Sequence, residues 1–211
     1  REKGIANRVR NINISAIKEM MHLSLRYSEA ISLAQGTPDF LTPQHIRDAV
    51  KRELDTNPAI GKYAPFTGLP ILKTAIAKAL KRKRGIDANP ERELYVTLGA
   101  MEAVASAIWT VAEAGDEVIL FSPCFPSHNA QIGLAEAQVV YSALDESRGW
   151  AFNLEDFKSK ISPRTRAVVL CSPSNPTGTI FSERAVRAIV ELAIQYDFWI
   201  ITDEPYDFLV Y

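Results

Sequence analysis

The sequence predicts an α/β fold of three layers, in which helices cover both faces of a mainly parallel sheet. Downstream of residue 93, short apolar segments alternate with longer amphipathic ones, which is the pattern of strands joined by helical crossovers. The apolar segments are rich in Val, Ile and Leu and nearly uninterrupted, as in strands that are buried on both faces. The 211 residues are 47% hydrophobic, which is sufficient for a sizeable core.

The part of the chain that precedes residue 93 is predicted to be mainly helical. An amphipathic helix lies within residues 1–35, a second begins at Thr42-Pro43 with Thr42 as the N-cap, and a third begins at Pro70. The third helix ends at Gly85, after a basic run that complements the negative end of a helix. The apolar residues expected on the buried face of the second helix are Ile46, Ala49, Val50 and Leu54.

The remaining elements are predicted to alternate along the chain. The strands are residues 94–98, 118–121, 137–141, 167–171 and 199–202. The helices between them are residues 101–114, 126–135, 153–160 and 182–197, the last capped by Ser182. Because ligands of open α/β sheets bind beyond the carboxyl ends of the strands, the turns that follow the strands are expected to form the site.

The charge balance argues against several classes of partner. Lys and Arg number 24 against 25 Asp and Glu, a balance that provides no basic surface for nucleic acid or an anionic membrane. No apolar run approaches the roughly 20 residues that cross a bilayer, and the first residues lack the apolar core of a secretory signal. We therefore expect a cytoplasmic protein without a nucleic-acid or membrane partner.

The cysteines and histidines predict neither a disulfide framework nor a metal site. Cys124 and Cys171 are far apart, and His22, His45 and His128 are scattered without the spacing of a ligand pair. Both cysteines are interpreted as small core residues rather than nucleophiles.

Four turns that follow predicted strands carry the residues suited to chemistry. They are Gly99-Ala100-Met101, residues 122–125 with Phe125, residues 172–178 with Asn175, and residues 203–206 with Asp203 and Tyr206. Together they supply a helix N-terminus, an aromatic ring, an amide, and a carboxylate next to a phenol. Each feature alone also has an ordinary interpretation as a tight connection, a core side chain, a turn or a helix cap.

One ligand suits all four turns, namely a planar aromatic cation that carries a phosphate. A phosphate accepts hydrogen bonds from helix N–H groups, and a flat ring stacks on an aromatic face. A pyridinium nitrogen pairs with a carboxylate, and a ring oxyanion accepts from an amide and a phenol. The combination points to pyridoxal 5′-phosphate, whereas the fingerprints of dinucleotide and triphosphate sites are absent from the sequence.

Four segments in order along the chain resemble the class I/II aminotransferases of the aspartate aminotransferase superfamily, the fold-type I pyridoxal phosphate enzymes. They are residues 31–40, residues 63–70 with the pattern Y-x-P-x-x-G-x-P, residues 172–178 and residues 202–206. The resemblance implies the large domain of a pyridoxal phosphate transferase, with its sheet incomplete at the C-terminus, and an N-terminal arm that belongs to a smaller domain. The implied boundaries are residues 1–41 for the arm and small-domain segment and 42–211 for the large domain.

The resemblance also implies a role for each matched residue around the cofactor. The N–H groups of Ala100 and Met101 hold the phosphate, and Phe125 stacks on the ring. Asp203 pairs with the pyridine nitrogen. The donors to the phenolic oxygen of the ring are Asn175 and Tyr206.

Further residues are matched around the substrate and the neighbouring subunit. Gly36 and Asn175 lie at the substrate, and Tyr63 reaches the phosphate of the neighbouring subunit, which implies a homodimer with shared active sites. His128 falls where some members place a residue that contacts the aspartate, and the alternative is a surface histidine on the helix 126–135. Pro123 and Pro176 match positions where a cis peptide bond is common.

The resemblance implies an aminotransferase that moves an amino group from an α-amino acid to a 2-oxo acid. A β-lyase, decarboxylase or synthase of the same superfamily would need the same cofactor residues, and a non-catalytic ligand-sensing domain is a further alternative. The substrate stays open. One subgroup that prefers aspartate and prephenate-type acids carries a lysine at the position of Met101, and other aspartate-using subgroups lack it.

The lysine that forms a Schiff base with the cofactor is expected beyond Tyr211. In the resembled family it follows a strand downstream of the Asp-x-x-Tyr turn, whereas every lysine of this sequence precedes Asp203. We therefore expect the 211 residues to be the N-terminal part of a longer enzyme, and to be inactive alone.

Overall fold

The computed structural model describes residues 4–10, 12, 16–27, 29–31, 33, 36 and 38–210. Four residues of the segment 31–40 that carries part of the resemblance lie outside the described residues: Ser32, Ala34, Gln35 and Thr37. The chain divides into two compact units, one formed by Arg1–Ser15 with Leu98–Tyr211 and the other by Ala16–Thr97. The predicted domain boundary between residues 41 and 42 stays a prediction.

Eight α-helices occur in the described part of the chain. They are α1 Asn7–Arg10, α2 Ala16–Ser24, α3 Gln44–Thr56, α4 Pro70–Arg84, α5 Gly99–Val111, α6 Pro126–Leu134, α7 Leu154–Lys160 and α8 Glu183–Tyr196. None of these helices combines the length and the apolar character that a membrane span requires.

The first unit contains a sheet of four parallel strands. They are β1 Glu117–Ser122, β2 Gln138–Ala143, β3 Thr165–Cys171 and β4 Trp199–Asp203, in the spatial order β2-β1-β3-β4. Each strand lies within two residues of the predicted bounds. The predicted α/β fold with a parallel sheet is confirmed.

One face of the sheet packs against α5 and α6. Val118 and Leu120 of β1 point to this face and are buried with Ile108 of α5 and Ile132 of α6. Successive side chains of a strand point to opposite faces, so alternate residues of β1 supply this core.

The other face packs against α7 and α8. Ile119 and Phe121 of β1 are buried there with Phe157 of α7 and Ile189 of α8. The ring of Phe121 lies 5.3 Å from that of Phe157 and 5.0 Å from that of Phe181, in tilted arrangements. Helices on both faces make the three layers that the sequence predicts.

Local signals fixed several helix ends. The Ser182 hydroxyl accepts a hydrogen bond from the Ala185 N–H at 3.2 Å, so the predicted cap of α8 is confirmed. Gly85 ends α4 in the left-handed conformation, with φ of 70°, as its position after the basic run predicts. The N-cap of α3 is Pro43 rather than Thr42, so that predicted helix start was wrong by one residue.

The predicted strand at residues 94–98 is wrong. These residues are described, and none of them is assigned to a strand. The N–H of Val96 donates to the carbonyl oxygen of Thr67 at 3.1 Å, which lies in a turn and not in a strand. An apolar segment becomes a strand only where another strand accepts its backbone bonds, and its composition does not report that partner.

The predicted burial of the α3 face is also wrong. Ile46, Val50 and Leu54 keep the helical spacing, but their exposed fractions are 44%, 55% and 61%. Amphipathic spacing identifies the face of a helix that can be covered. It does not identify the surface that covers it.

A buried carboxylate lies at the opposite edge of the sheet from the predicted ligand turns. Glu117 begins β1 and is 4% exposed. Its Oε2 accepts from the Ser162 hydroxyl at 2.5 Å, and its Oε1 forms an ion pair with the Arg164 guanidinium. The hydrogen bond from Ser162, aided by Arg164 and opposed by burial, lowers the pKa of Glu117 below its ordinary value of 4.5.

We expect Glu117→Gln to destabilise the protein by about 1–3 kcal/mol at neutral pH, because it weakens the bonds to Ser162 and Arg164 inside the fold. A lowered folded-state pKa stabilises the protein above the ordinary pKa, and this contribution is lost as pH falls through the lowered value. The difference between wild type and variant should therefore shrink in acid. Urea unfolding between neutral pH and about pH 3 measures it.

Glu155→Gln is the matched control, since the Glu155 side chain is 83% exposed and lies 3.7 Å from Lys158. It should change the free energy of unfolding by less than about 0.5 kcal/mol. Equal stability of wild type and Glu117→Gln at neutral pH would contradict the assignment.

Candidate functional site

The parallel pairing brings the ends of three strands to one edge of the sheet. β1 ends at Ser122, β3 at Cys171 and β4 at Asp203, and Cys171 lies directly opposite Asp203 in the ladder. The turns that follow these strands carry Phe125 and Asn175. Helix α5 packs on the same sheet through β3 and β4.

An open cavity of about 170 Å³ lies at this edge. Seven of its lining residues are sequence-predicted site residues: Ala100, Met101, Phe125, His128, Asn175, Asp203 and Tyr206. The other four are Val104, Gln131, Cys171 and Pro205. All eleven belong to the first unit.

Asp203 contacts His128 at the wall of the cavity. The imidazole Nε2 of His128 lies 3.1 Å from Oδ2 of Asp203, and the two side chains are 3% and 12% exposed. His128 is thus buried and is not a surface histidine. When Asp203 is ionised it can only accept, so Nε2 of His128 then carries the proton.

Phe125 lies beside this pair at the start of α6. It is the N-cap residue of the helix, and Pro126 occupies the first helical position. The Phe125 ring is half-buried and meets the His128 ring edge to face, with centroids 5.6 Å apart and an interplanar angle of 82°. The contact holds an aromatic ring at the wall of the cavity.

Asn175 and Tyr206 form a second polar pair. The Nδ2 of Asn175 donates to the Tyr206 hydroxyl at 3.2 Å, although the residues come from different turns. The loop that carries Asn175 is closed by the Gly178 N–H, which donates to the Ser174 carbonyl at 2.8 Å. Gly178 has φ of 71°, a conformation that favours glycine.

The peptide bonds Ser122-Pro123 and Asn175-Pro176 are cis, as the matched positions predict. A third cis bond, Ser172-Pro173, was not predicted.

The first turn of α5 forms the remaining wall. Ala100 and Met101 line the cavity there. The N-cap residue Leu98 has no side-chain oxygen for the N–H groups of this turn, and its own N–H donates to Glu102 Oε2 at 2.5 Å. A helix start suits an anionic group, because the first N–H groups of a helix have no carbonyl acceptor one turn before them.

The sequence analysis missed Gln131, which is 5% exposed and lines the cavity. A signal existed, since Gln131 follows His128 by three positions on α6. Residues at this spacing share a helix face.

Two predicted residues do not line this cavity. Gly36 and Tyr63 belong to the second unit, and both are exposed. Their roles toward a substrate and a neighbouring subunit stay predictions.

The two cysteines are half-buried. Burial raises the pKa of the Cys124 thiol above its ordinary value, and burial together with the charge of Asp203 raises that of Cys171. A raised pKa disfavours the thiolate, which is the nucleophilic form.

The donor set around the cavity fits a phosphorylated aromatic cation. A half-buried carboxylate, an amide–phenol pair, an aromatic ring and a helix start all face one space. In addition, the buried Oε1 of Gln131 has no hydrogen-bond partner among the described residues. A buried acceptor without a partner is uncommon in folded proteins, and a functional role is one of its explanations.

Comparison with known proteins identifies similar chains. The family described as aminotransferase class I and II matches residues 28–211. The chain is 36% identical to a probable aspartate aminotransferase of Methanocaldococcus jannaschii, with 98% of this chain and 53% of that protein covered. It is 33% identical to a probable aspartate/prephenate aminotransferase of Thermus aquaticus, with 99% and 55% covered.

Solved structures give the same result. An aspartate aminotransferase from Thermus thermophilus, solved with maleate, superposes with a TM-score of 0.91 at 32% identity, over 99% of this chain and 55% of that one. An N-succinyldiaminopimelate aminotransferase from Mycobacterium tuberculosis gives a TM-score of 0.88 at 34% identity, over 95% and 52%. The chain therefore spans about half the length of these relatives.

We expect the contact between His128 and Asp203 to contribute measurably to folding. A double-mutant cycle with His128→Gln and Asp203→Asn should give a coupling of about 1–3 kcal/mol, because His128 is buried and the Asp203 side chain is only 12% exposed. Urea unfolding of the four proteins measures this coupling.

The exposed pair Glu183 and Arg187 is the control, with side chains 76% and 72% exposed. Its cycle should give about 0.5 kcal/mol or less. A His128–Asp203 coupling no larger than that would show that the contact does not help to hold the site together.

Proposed function

The chain belongs to the aminotransferase class I and II family, and from this membership we propose that it carries the pyridoxal 5′-phosphate site of an aminotransferase. One observation carries the proposal: Asp203, the Asn175–Tyr206 pair and the first turn of α5 face a single cavity. A pyridine ring with a phenolic oxygen and a phosphate uses each of these groups: the carboxylate, the phenol–amide pair and the anion-binding helix start.

Each wall of the cavity would hold a different part of the cofactor. The N–H groups of Ala100 and Met101 would donate to the phosphate, and Phe125 would cover one face of the ring. Asn175 and Tyr206 would donate to the phenolic oxygen, and Asp203 would meet the ring nitrogen. Bound pyridoxal phosphate would supply a ring that accepts an electron pair when a substrate Cα–H bond breaks.

Asp203 would keep the proton on the ring nitrogen. A carboxylate next to a ring N–H favours the charged form of the ring, which is the better electron acceptor. His128 contacts the Oδ2 of Asp203 from the protein side and thereby restrains the carboxylate. A protonated ring nitrogen is useful to transamination and also to the other reactions of this superfamily.

The substrates follow as part of the proposal. We infer an α-amino acid as donor and a 2-oxo acid as acceptor, with Gly36 and Asn175 at the substrate. Relatives named for aspartate, prephenate and N-succinyldiaminopimelate leave the side chain of the donor open. Screening amino donors against 2-oxoglutarate, by the absorbance of the cofactor, would identify it.

The same assay distinguishes transamination from the other reactions. A 2-oxo acid formed from the donor, with the amino group recovered on the acceptor, supports transamination. Ammonia together with pyruvate would indicate a β-lyase and overturn the proposed reaction while leaving the cofactor site in place.

We expect Asp203→Ala, in the protein that carries this chain, to lower turnover by about 10²–10³-fold, because the ring nitrogen loses its charged partner. The fold should persist, as judged by circular dichroism. Glu183→Gln, at an exposed position of α8, is the control and should keep normal turnover. Transamination by Asp203→Ala at the normal rate would refute the assignment.

We further propose a cytoplasmic homodimer in which Tyr63 serves the site of the neighbouring subunit. Tyr63→Ala and Asp203→Ala should each be nearly inactive alone. After the two variants are mixed and allowed to exchange subunits, about a quarter of the wild-type activity should return, because half the dimers then contain one intact site. Failure to recover activity, with exchange verified by mass, would place Tyr63 at its own subunit's site or outside the site.

A further inference from the structure

Gln131 ties helix α6 to the first turn of α5. Its Nε2 donates to the carbonyl oxygen of Met101 at 2.8 Å and lies 3.9 Å from the Met101 sulfur. The backbone carbonyl of Gln131 accepts from Nε1 of Trp109 at 2.9 Å. Met101 and Trp109 are eight residues apart on α5, which is about 12 Å along the helix axis. Gln131 of α6 therefore bonds to two well-separated points of α5.

The position of Gln131 on α6 makes this contact relevant to the whole cavity. His128 and Gln131 are three positions apart on α6 and are therefore neighbours on the helix surface, and Phe125 is the N-cap residue of the same helix. His128 contacts Asp203, and Gln131 contacts Met101. Helix α6 therefore contacts both Asp203 and the first turn of α5, through the neighbouring side chains of His128 and Gln131.

The orientation of the Gln131 amide follows from its partner. The Met101 carbonyl can only accept, so the NH₂ group must face it and the amide oxygen must face the other way. That oxygen, Oε1, is buried without a hydrogen-bond partner among the described residues. Burial of an unpaired acceptor costs free energy, yet the residue keeps this arrangement at the wall of the cavity.

We propose that Gln131 is a positioning residue for the cofactor phosphate, which holds the first turn of α5 at the distance from Phe125 and Asp203 that the cofactor needs. The inference rests on the proposed function. It assigns to Gln131 no contact with the reacting atoms. Its effect passes through the N–H groups of Ala100 and Met101, because these belong to the turn that Gln131 fastens.

The inference predicts different effects on the binding of pyridoxal phosphate and of pyridoxal, two ligands that differ only in the phosphate. Charge-assisted hydrogen bonds to a phosphate depend on distance and direction, so a small shift of the α5 turn weakens them. Pyridoxal has the same ring and lacks the phosphate. Loss of the Gln131 contact should therefore weaken the binding of pyridoxal phosphate and leave that of pyridoxal unchanged.

The test compares dissociation constants of pyridoxal phosphate and pyridoxal, by absorbance titration, for the protein that carries this chain. Gln131→Met, which keeps the size of the side chain and removes the donor, should weaken pyridoxal phosphate about 5- to 20-fold and pyridoxal less than twofold.

Ser142→Ala is the matched control. Ser142 of β2 is 1% exposed, and its hydroxyl also lacks a partner among the described residues, but it does not line the cavity. The control should leave both dissociation constants unchanged. Gln131→Asn, which keeps the amide on a shorter stem, is the second variant should Gln131→Met fold poorly, and it should show the same selective loss.

Two results would overturn the inference. One is a Gln131 variant that binds pyridoxal phosphate as wild type does, and the other is an equal loss of pyridoxal phosphate and pyridoxal, which indicates a general structural role. Absence of pyridoxal phosphate binding by the wild-type protein would instead reject the proposed function, and the inference with it.

Discussion

Parallel pairing carries β1, β3 and β4 to a common edge of the sheet, and the candidate site depends on it. The strands end at Ser122, Cys171 and Asp203, and the ladder places Cys171 opposite Asp203. Since β1 and β3 are buried on both faces, a shift of one residue would turn their apolar side chains to the wrong cores. The two cores therefore hold the register, and the register holds the turns that carry Phe125, Asn175 and Tyr206.

Helix α6 adds a constraint that the sheet alone does not supply. Its buried face contacts Asp203 at the end of β4 through His128 and the first turn of α5 through Gln131. These two partners come from different parts of the chain. Hydrogen bonds are directional, so these contacts fix distances that apolar packing leaves adjustable.

Two carboxylates of the sheet, Glu117 and Asp203, have different surroundings. Glu117, where β1 begins, is satisfied by Ser162 and Arg164 and has a lowered pKa, which suits a structural ion pair. Asp203, where β4 ends, faces a cavity and is restrained by a histidine. A carboxylate that is restrained but still open to a cavity can serve a ligand, whereas one enclosed by its partners stabilises the fold.

The sequence by itself determined what depends on near neighbours. Alternating apolar segments specified the four strands of the sheet, and Ser182 and Gly85 specified two helix ends, because side-chain periodicity and capping act within a few residues. The residue types of the site were also readable, since Asp203 ends a strand and Tyr206 stands in the turn that follows it. These signals sufficed for the fold class and for most of the cavity wall.

Only the tertiary structure decided which of these residues meet. His128 and Asp203 are 75 residues apart, and Gln131 and Met101 are 30 apart, so no local pattern reports either contact. For the same reason, the apolar residues 94–98 predict a strand, yet the N–H of Val96 donates to a turn. The apolar face of α3 is likewise exposed, although its spacing predicts burial. Burial and strand pairing depend on what distant segments place alongside a residue, which is a property of the folded chain and not of its neighbours in sequence.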